Sequence, residues 1–272
     1  MNNIKSVTLQ RNRDDKGDYY LTFRGNPSVL NDEEVFVKMV NAPEAGGSSE
    51  GKKGRAERIF PVFRQNAMNY GEYSEYIRDH GCACCSLTSM LAAYCPEYRD
   101  LRPEETITRV ERKHFPENIW KKNYGKPEKK QMPVTLYGIS RIFEEEGILN
   151  RYVGPFRDRE AEREIRDHLR RGMPVLVEAS RLRRWKGLPV SLNDRKYAGS
   201  YHTMILLGLD KKGYVIFTDS ATRDWAGDRQ RLKRDSLPNM ISYMFPQINR
   251  KAANLYYDHR WNTGGYLLTN VF

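Results

Sequence analysis

One of the four cysteines in the chain stands where a thiol could act as a nucleophile. Cys82 follows Gly81 and is predicted to begin a helix that runs to Tyr94, shortly before Pro96. At the start of a helix the backbone N–H groups are unpaired and the dipole is positive, so a thiol there has a lowered pKa and an oxyanion can be held. Position alone still favours ordinary core packing for Cys82, and a catalytic interpretation needs partners elsewhere in the chain.

The other three cysteines are interpreted as packing residues. Cys84 and Cys95 lie on a helical stripe with Leu87 and Leu91, and a free cysteine such as these or Cys85 behaves as a small buried hydrophobe. The Cys-x-Cys-Cys spacing lacks the paired ligands of structural zinc sites, and adjacent residues of a helix diverge by about 100°. Four cysteines clustered in one segment are also unlike a disulfide framework. We expect no metal ion.

A catalytic thiol needs a base, and the base needs a group that orients it. Of the five histidines, His202 is the candidate, because it opens the apolar strand 203–209 and the return strand after the next turn delivers Asp219. His114 and His168 lie in highly charged segments, where we expect exposed side chains. The remaining histidines, which receive no role, are His80 and His259.

The turn between the two strands decides whether His202 and Asp219 face each other. A two-residue turn at Lys211 and Lys212 places Asp219 opposite Met204, and therefore diagonal to His202 on the same face of the sheet. A bulged turn shifts the register and reverses this arrangement. The sequence leaves both turns open.

Together these segments resemble the papain-like cysteine peptidases, in the branch of the bacteriocin-processing peptidase domains and their free-standing relatives. The similar segments are the nucleophile motif at 81–87, the histidine strand with its Gly-x-Asp ending at 208–210, the aspartate at 218–220 and the last strand at 264–266. They follow the family's order over about residues 59–271, with large insertions. The chain departs from many members in having Ala-Cys-Cys after Cys82 and serine after Asp219.

The resemblance implies a triad of Cys82 as nucleophile, His202 as base and Asp219 as the group that orients the base. It also implies that Gln65, which lies seventeen residues before Cys82, helps to form the oxyanion hole. The implied reaction is hydrolysis of a peptide or amide bond in a peptide or protein substrate, with no metal or organic cofactor. Two alternatives stay open: an acyltransferase that uses the same thioester chemistry, and a non-catalytic peptide-binding relative. The intact set of four residues argues against the second alternative.

The chain is predicted to be an α+β protein in two parts. Residues 1–55 are interpreted as a small β-rich appendage and linker, with a hairpin from 6–10 and 19–23 and a stretch rich in Gly, Ser and Lys at 43–55. Residues 56–272 are interpreted as a papain-like peptidase domain. Helices come first there and strands later, which predicts an antiparallel sheet. The resemblance implies that the nucleophile helix packs on this sheet.

The chain is basic, with a formal net charge of +11. Lys and Arg are mostly mixed with Asp and Glu and no nucleic-acid motif accompanies them, so we expect a solvated surface and no nucleic-acid partner. A basic loop at 181–200 leads to His202 and carries Trp185. It is interpreted either as a substrate wall for an acidic or aromatic group or as an ordinary solvated loop.

The first residues contain no apolar run after their charges, and no segment approaches the roughly 20 apolar residues of a membrane span. The sequence therefore predicts neither a secretory signal nor a membrane partner. We expect a cytoplasmic location, with leaderless export as the alternative. The oligomeric state has no sequence signal.

Overall fold

The computed structural model describes residues 6–24, 34–41, 58–65, 69–114, 135–180, 201–220, 232–244 and 264–269. These residues form ten strands and six α-helices, which is the predicted α+β class. In chain order the elements are β1 (Ser6–Arg13), β2 (Tyr19–Arg24), β3 (Glu34–Asn41), β4 (Arg58–Phe63), α1 (Ser74–His80), α2 (Cys82–Tyr94), α3 (Pro103–His114), α4 (Leu136–Glu145), β5 (Asn150–Val153), α5 (Asp158–Arg170), β6 (Val175–Ser180), β7 (Tyr201–Leu209), β8 (Tyr214–Thr218), β9 (Leu232–Ser236), α6 (Leu237–Tyr243) and β10 (Tyr266–Thr269). The predicted linker at 43–55 and the basic loop at 181–200 lie outside the described residues.

The N-terminal strands form a four-stranded sheet in the order β2-β1-β3-β4. β1 and β2 make the predicted antiparallel hairpin, in which Arg13 lies opposite Tyr19. Its turn contains Gly17 at a φ of 84°, a backbone conformation that glycine adopts without steric cost. β3 runs parallel to β1 and antiparallel to β4.

These N-terminal strands share a sheet and a core with the rest of the described chain. β4 lies beyond the predicted boundary at residue 55, yet it pairs with β3. Leu9 and Val37 belong to the same cluster of buried apolar side chains as Leu87 of α2. The side chain of Leu21 lies so close to Gly208 of β7 that a Cβ atom at that glycine would be 2.7 Å from it. The division at residue 55 stays a prediction, and one hydrophobic core spans it.

The second sheet has six strands in the order β5-β10-β6-β7-β8-β9, and each neighbouring pair is antiparallel, as predicted. Helices cover both of its faces. On one face Leu176 and Ile205 pack with α2, α3 and α4, and on the other Val177 and Leu206 pack with α5 and α6. Because successive residues of a strand point to opposite faces, a strand covered on both sides has a continuous run of apolar residues, as β7 has from Met204 to Leu209.

The hairpin of β7 and β8 has the register that brings the two predicted site residues together. Asp210 pairs with Tyr214, so the turn is one residue longer than a two-residue turn. By itself this extra residue would place His202 and Asp219 on opposite faces of the sheet. A bulge between Leu206 and Gly208 adds an opposite shift of one residue. Beyond the bulge, His202 and Asp219 lie on the same face of the sheet.

Among the predicted elements, α2 begins and ends at the predicted residues. The strand predicted at 203–209 begins earlier, at Tyr201, and ends as predicted at Leu209. The amphipathic pattern of residues 135–149 predicts a helix over that range, but α4 ends at Glu145, because Gly147 takes a φ of 73° and β5 follows. The elements β4, β5, β9, α1 and α6 have no counterpart in the sequence prediction. Within the described residues, no helix combines the length and the apolar character that crossing a bilayer requires.

The expectation that His168 is exposed is wrong. Its side chain is 5% exposed, and Nε2 lies 2.8 Å from the carbonyl oxygen of Thr269. On α5, His168 shares a face with Ala161 and Ile165, which pack on the sheet, so its charged sequence neighbours lie on the other face. The histidines about which the structure says nothing are His80 and His114, whose side chains are not described, and His259, which lies outside the described residues.

Candidate active site

Cys82 lies at the junction of two helices that meet at Gly81. The backbone N–H of Gly81 donates to the carbonyl oxygen of Ile77 in the last turn of α1, at 2.8 Å. Gly81 has a φ of −78°, so its conformation is open to any residue. Glycine is required at this position for steric reasons, because a Cβ atom would lie 2.2 Å from the same Ile77 oxygen. The glycine before the candidate nucleophile therefore permits the close approach of α1 to α2.

The Cys82 thiol lies in the first turn of α2. Cys85 donates to the carbonyl oxygen of Gly81 at 2.8 Å and so closes the first turn. Cys82 is the first residue of the helix, and its own N–H has no acceptor within that helix. No side chain caps this helix at Gly81. The thiol therefore sits at the positive end of the helix dipole.

The environment of Cys82 favours its thiolate. Burial raises the pKa of the Cys82 thiol, but the hydrogen bond and charge of His202 and the backbone of Thr203 lower it by more, and the net pKa lies below the ordinary value. Cys84 has the opposite balance, since burial and the nearby Cys82 raise the pKa of its thiol. All four cysteines are buried and free of disulfides. The two neighbouring thiols thus differ in chemistry although they differ little in exposure.

Alkylation should distinguish these thiols. We expect iodoacetamide at neutral pH to modify Cys82 ahead of the other three cysteines, because only a thiolate reacts and Cys82 has the lowered pKa. Peptide mapping of the alkylated chain over time measures the order, and Cys82→Ala should remove the fast phase. Preferential modification of Cys84 would contradict the assignment.

His202 and Asp219 form a buried hydrogen-bonded pair. Nε2 of His202 lies 2.7 Å from Oδ1 of Asp219, and the two residues are 3% and 5% exposed. Because Nε2 is engaged with the carboxylate, Nδ1 is the ring nitrogen left for the Cys82 thiol. The three predicted triad residues are therefore brought together from α2, the start of β7 and the end of β8.

Lys233 is a further residue at this site, and sequence reasoning missed it. Its Nζ lies 2.7 Å from Oδ2 of Asp219, so the carboxylate has a partner at each oxygen. Lys233 comes from β9, which pairs with β8 and places Lys233 opposite Phe217. The sequence of β9, Leu-Lys-Arg-Asp-Ser, has one apolar residue and carries no strand signal.

Gln65 lies between the segments that hold Asp219 and Cys82. Its backbone N–H donates to the carbonyl oxygen of Ser220 at 2.9 Å, and its Oε1 accepts from the Ser220 hydroxyl at 3.3 Å. Its Nε2 donates to the carbonyl oxygen of Arg78 in α1 at 3.1 Å. None of these three bonds involves Cys82. The two side-chain bonds hold the amide group and use one of its two N–H hydrogens. The second hydrogen can donate to another acceptor.

Glu178 is a second buried residue near Cys82 that sequence reasoning missed. Its carboxylate accepts from the backbone N–H of Gly264 at 2.7 Å and of Leu136 at 3.3 Å. Burial, the largest effect, and the charge of Cys82 raise the pKa of Glu178 to about 8, against the lowering effect of the two N–H donors. Glu178 lies opposite Thr203 in the sheet. It ties β6 to the start of α4 and to the segment before β10.

We expect the stability of the protein to depend on the protonation of Glu178. The folded pKa of about 8 lies above the ordinary value of a glutamate, so folding takes up a proton between the two values. The stabilisation from this group is complete below the unfolded pKa and is lost as the pH rises through the folded pKa, with a slope of at most about 1.4 kcal/mol per pH unit.

Urea unfolding of the wild type and of Glu178→Gln at several pH values between 5 and about 9 measures this dependence. The free energy of unfolding of the wild type should fall with pH relative to that of the variant, since the effects of all other groups cancel in the difference. A difference that is constant or rises with pH would contradict the raised pKa.

Among the described residues, no group of three or more His, Cys, Asp or Glu side chains is arranged to hold a metal ion. The absence of a metal and of a cofactor stays a prediction from the sequence. The arrangement at Cys82 has the parts that acyl transfer by a thiol requires: a thiol of lowered pKa, an imidazole beside it and a carboxylate on the imidazole.

An α+β fold with a buried thiol and imidazole at a helix start is typical of papain-like cysteine peptidases. The model of the peptidase C39-like family matches residues 58–245, and the chain belongs to that family. Searches of curated proteins and of solved structures returned no match. The matched segment starts at the first residue of β4 and contains Gln65, Cys82, His202 and Asp219.

Proposed function

We propose that the protein is a cysteine peptidase that hydrolyses a peptide or amide bond in a peptide or protein substrate. The observation that carries the proposal is the buried chain of contacts from the Cys82 thiol through His202 to Asp219. A thiol that merely fills the core has no need of an imidazole that lowers its pKa or of a carboxylate behind that imidazole. The similarity to the bacteriocin-processing branch stays a prediction.

In the proposed reaction His202 takes the proton of Cys82, and the thiolate attacks the carbonyl carbon of the substrate. The negative charge moves to the carbonyl oxygen, where the N–H of Cys82 and the free amide hydrogen of Gln65 donate to it. The C–N bond breaks as His202 returns its proton to the leaving amine. Water, deprotonated by His202, then releases the acyl group as a carboxylic acid. Asp219 holds the imidazole in one tautomer throughout.

The contribution of Gln65 can be measured by comparing two variants. Gln65→Ala should lower kcat by about 10²-fold or more, because one donor to the oxyanion is lost. Ser220→Ala removes a bond that anchors the same amide but keeps its N–H groups, so a much smaller loss is expected. Thermal unfolding shows whether both variants keep the fold. Unchanged turnover in folded Gln65→Ala would remove Gln65 from the oxyanion site.

The products distinguish hydrolysis from the alternatives. Peptide mixtures incubated with the protein in H₂¹⁸O should yield new C-termini that carry one ¹⁸O atom, as mass spectrometry would show. If an added primary amine appears in the dominant product instead, the protein is an acyltransferase. If Cys82 is alkylated rapidly but no peptide is cleaved or transferred, the second alternative, a non-catalytic peptide-binding relative, replaces the proposal.

A further inference from the structure

The carboxylate of Asp219 is shared between His202 and Lys233. One oxygen lies 2.7 Å from Nε2 of His202, and the other lies 2.7 Å from Nζ of Lys233. The Lys233 side chain is 13% exposed and that of Asp219 is 6% exposed, so water screens this pair poorly. The ammonium group therefore acts on the site at close range.

A lysine in this position has two physical consequences. It fixes the second oxygen of Asp219, and with it the plane of the carboxylate that His202 contacts. It also balances charge, since the proposed reaction creates a thiolate and an imidazolium beside a carboxylate. With Lys233 these four charges alternate in sign and sum to zero, and removing Lys233 makes the charge of the set more negative by one.

We propose that Lys233 is a positioning residue that holds Asp219 and sets the pH range over which the Cys82 and His202 ion pair exists. The proposal rests on the proposed function. Ionisable groups that face the site from neighbouring elements include Cys82 on α2 and Glu178 on β6, whose pKa the charge of Cys82 raises. Lys233 reaches the carboxylate from the opposite side, on β9.

The rate of alkylation of Cys82 by iodoacetamide as a function of pH tests this role without a substrate. In Lys233→Met the loss of a positive charge should raise the pKa of every neighbouring acid, so both inflections of the profile should move up by about one pH unit. The plateau rate should also fall, because Oδ2 of Asp219 loses its bond to Lys233. Lys233→Arg should restore the wild-type profile.

Two further variants separate the effect of the charge of Lys233 from its effect on the position of Asp219. Lys233→Gln keeps a donor for Asp219 but no charge, so its profile should shift as in Lys233→Met while more of the plateau rate is kept. Arg234→Met is the matched control. Arg234 is adjacent on β9, but its guanidinium pairs with Asp210 and stacks on Tyr214 at 4.0 Å. Its loss changes the net charge equally and should leave the profile in place.

The outcomes distinguish this inference from the proposed function. A wild-type profile with two inflections that Lys233→Met leaves unchanged, or that Arg234→Met shifts equally, would overturn the role of Lys233 alone. A wild-type profile with a single inflection near the ordinary thiol value of about 8.5 would overturn the proposed peptidase function and the role of Lys233 with it.

Discussion

Cys82→Ala should lose all turnover above background, because alanine has no sulfur with which to form the thioester. Removal of the nucleophile from a catalytic unit of this kind costs about 10⁶-fold in kcat, and the other members of the unit do not compensate. The substitution deletes one small buried atom, so the destabilisation should be no more than about 1–2 kcal/mol. Progress curves with a cleaved peptide and thermal unfolding of the same sample measure the two effects.

Cys84→Ala is the matched control for this experiment. Cys84 is buried in the same helix, two positions further on, and the pKa of its thiol is raised rather than lowered. Its loss should cost similar stability and leave the reaction intact. Turnover that survives in Cys82→Ala, or that disappears in folded Cys84→Ala, would contradict the assignment of the nucleophile.

His202→Ala should reduce turnover by about 10⁴-fold or more, since the base and the acid for the leaving amine are both removed. A second effect is specific to the observed geometry. The hydrogen bond and the charge of His202 are the largest of the effects that lower the pKa of Cys82, so the thiol pKa rises when they are removed. Alkylation of Cys82 at neutral pH should therefore slow in parallel with turnover.

Asp219→Asn provides the graded comparison. The asparagine keeps the size of the side chain and can accept from His202, but it no longer favours the imidazolium by charge. We expect a smaller loss of turnover than in His202→Ala, together with a lower pKa of His202 and therefore an earlier decline of activity at high pH. A larger loss in Asp219→Asn than in His202→Ala, with both variants folded, would mean that His202 is not the base.

The candidate site was predictable where the local sequence carried the signal. The helix start at Gly81 and Cys82 and the apolar strand after His202 are short-range patterns. The helix has the expected bounds, whereas the strand ends at the expected Leu209 but begins at Tyr201, two residues early. The pairing of His202 with Asp219 depended on a turn that the sequence left open. The observed turn is the unfavourable one, and a bulge in β7 compensates for it. A bulge depends on packing around Gly208 and is not encoded in the pattern of apolar residues.

The two residues missed at the site have a common reason. Lys233 lies on a strand without alternating apolar residues. Glu178 follows an apolar run, and a charged residue in that position is typical of the end of a strand. Each is stabilised in the core by groups far away in the chain, Lys233 by Asp219 and Glu178 by the N–H groups of Gly264 and Leu136. Sequence periodicity indicates which face of a strand is buried. It does not indicate which polar group lies against that face in the folded protein.

The sequence by itself determined the α+β class, the N-terminal hairpin, the bounds of α2 and most of the strands of the antiparallel sheet, because these follow from turn residues and apolar periodicity within a few positions. Tertiary structure alone decided that β3 and β4 pair across the predicted boundary, that Leu21 packs on Gly208, and that Gly81 is required for space rather than for its backbone angles. These features arise where segments distant in sequence come within van der Waals distance, and close packing of that kind has no local signature in the chain.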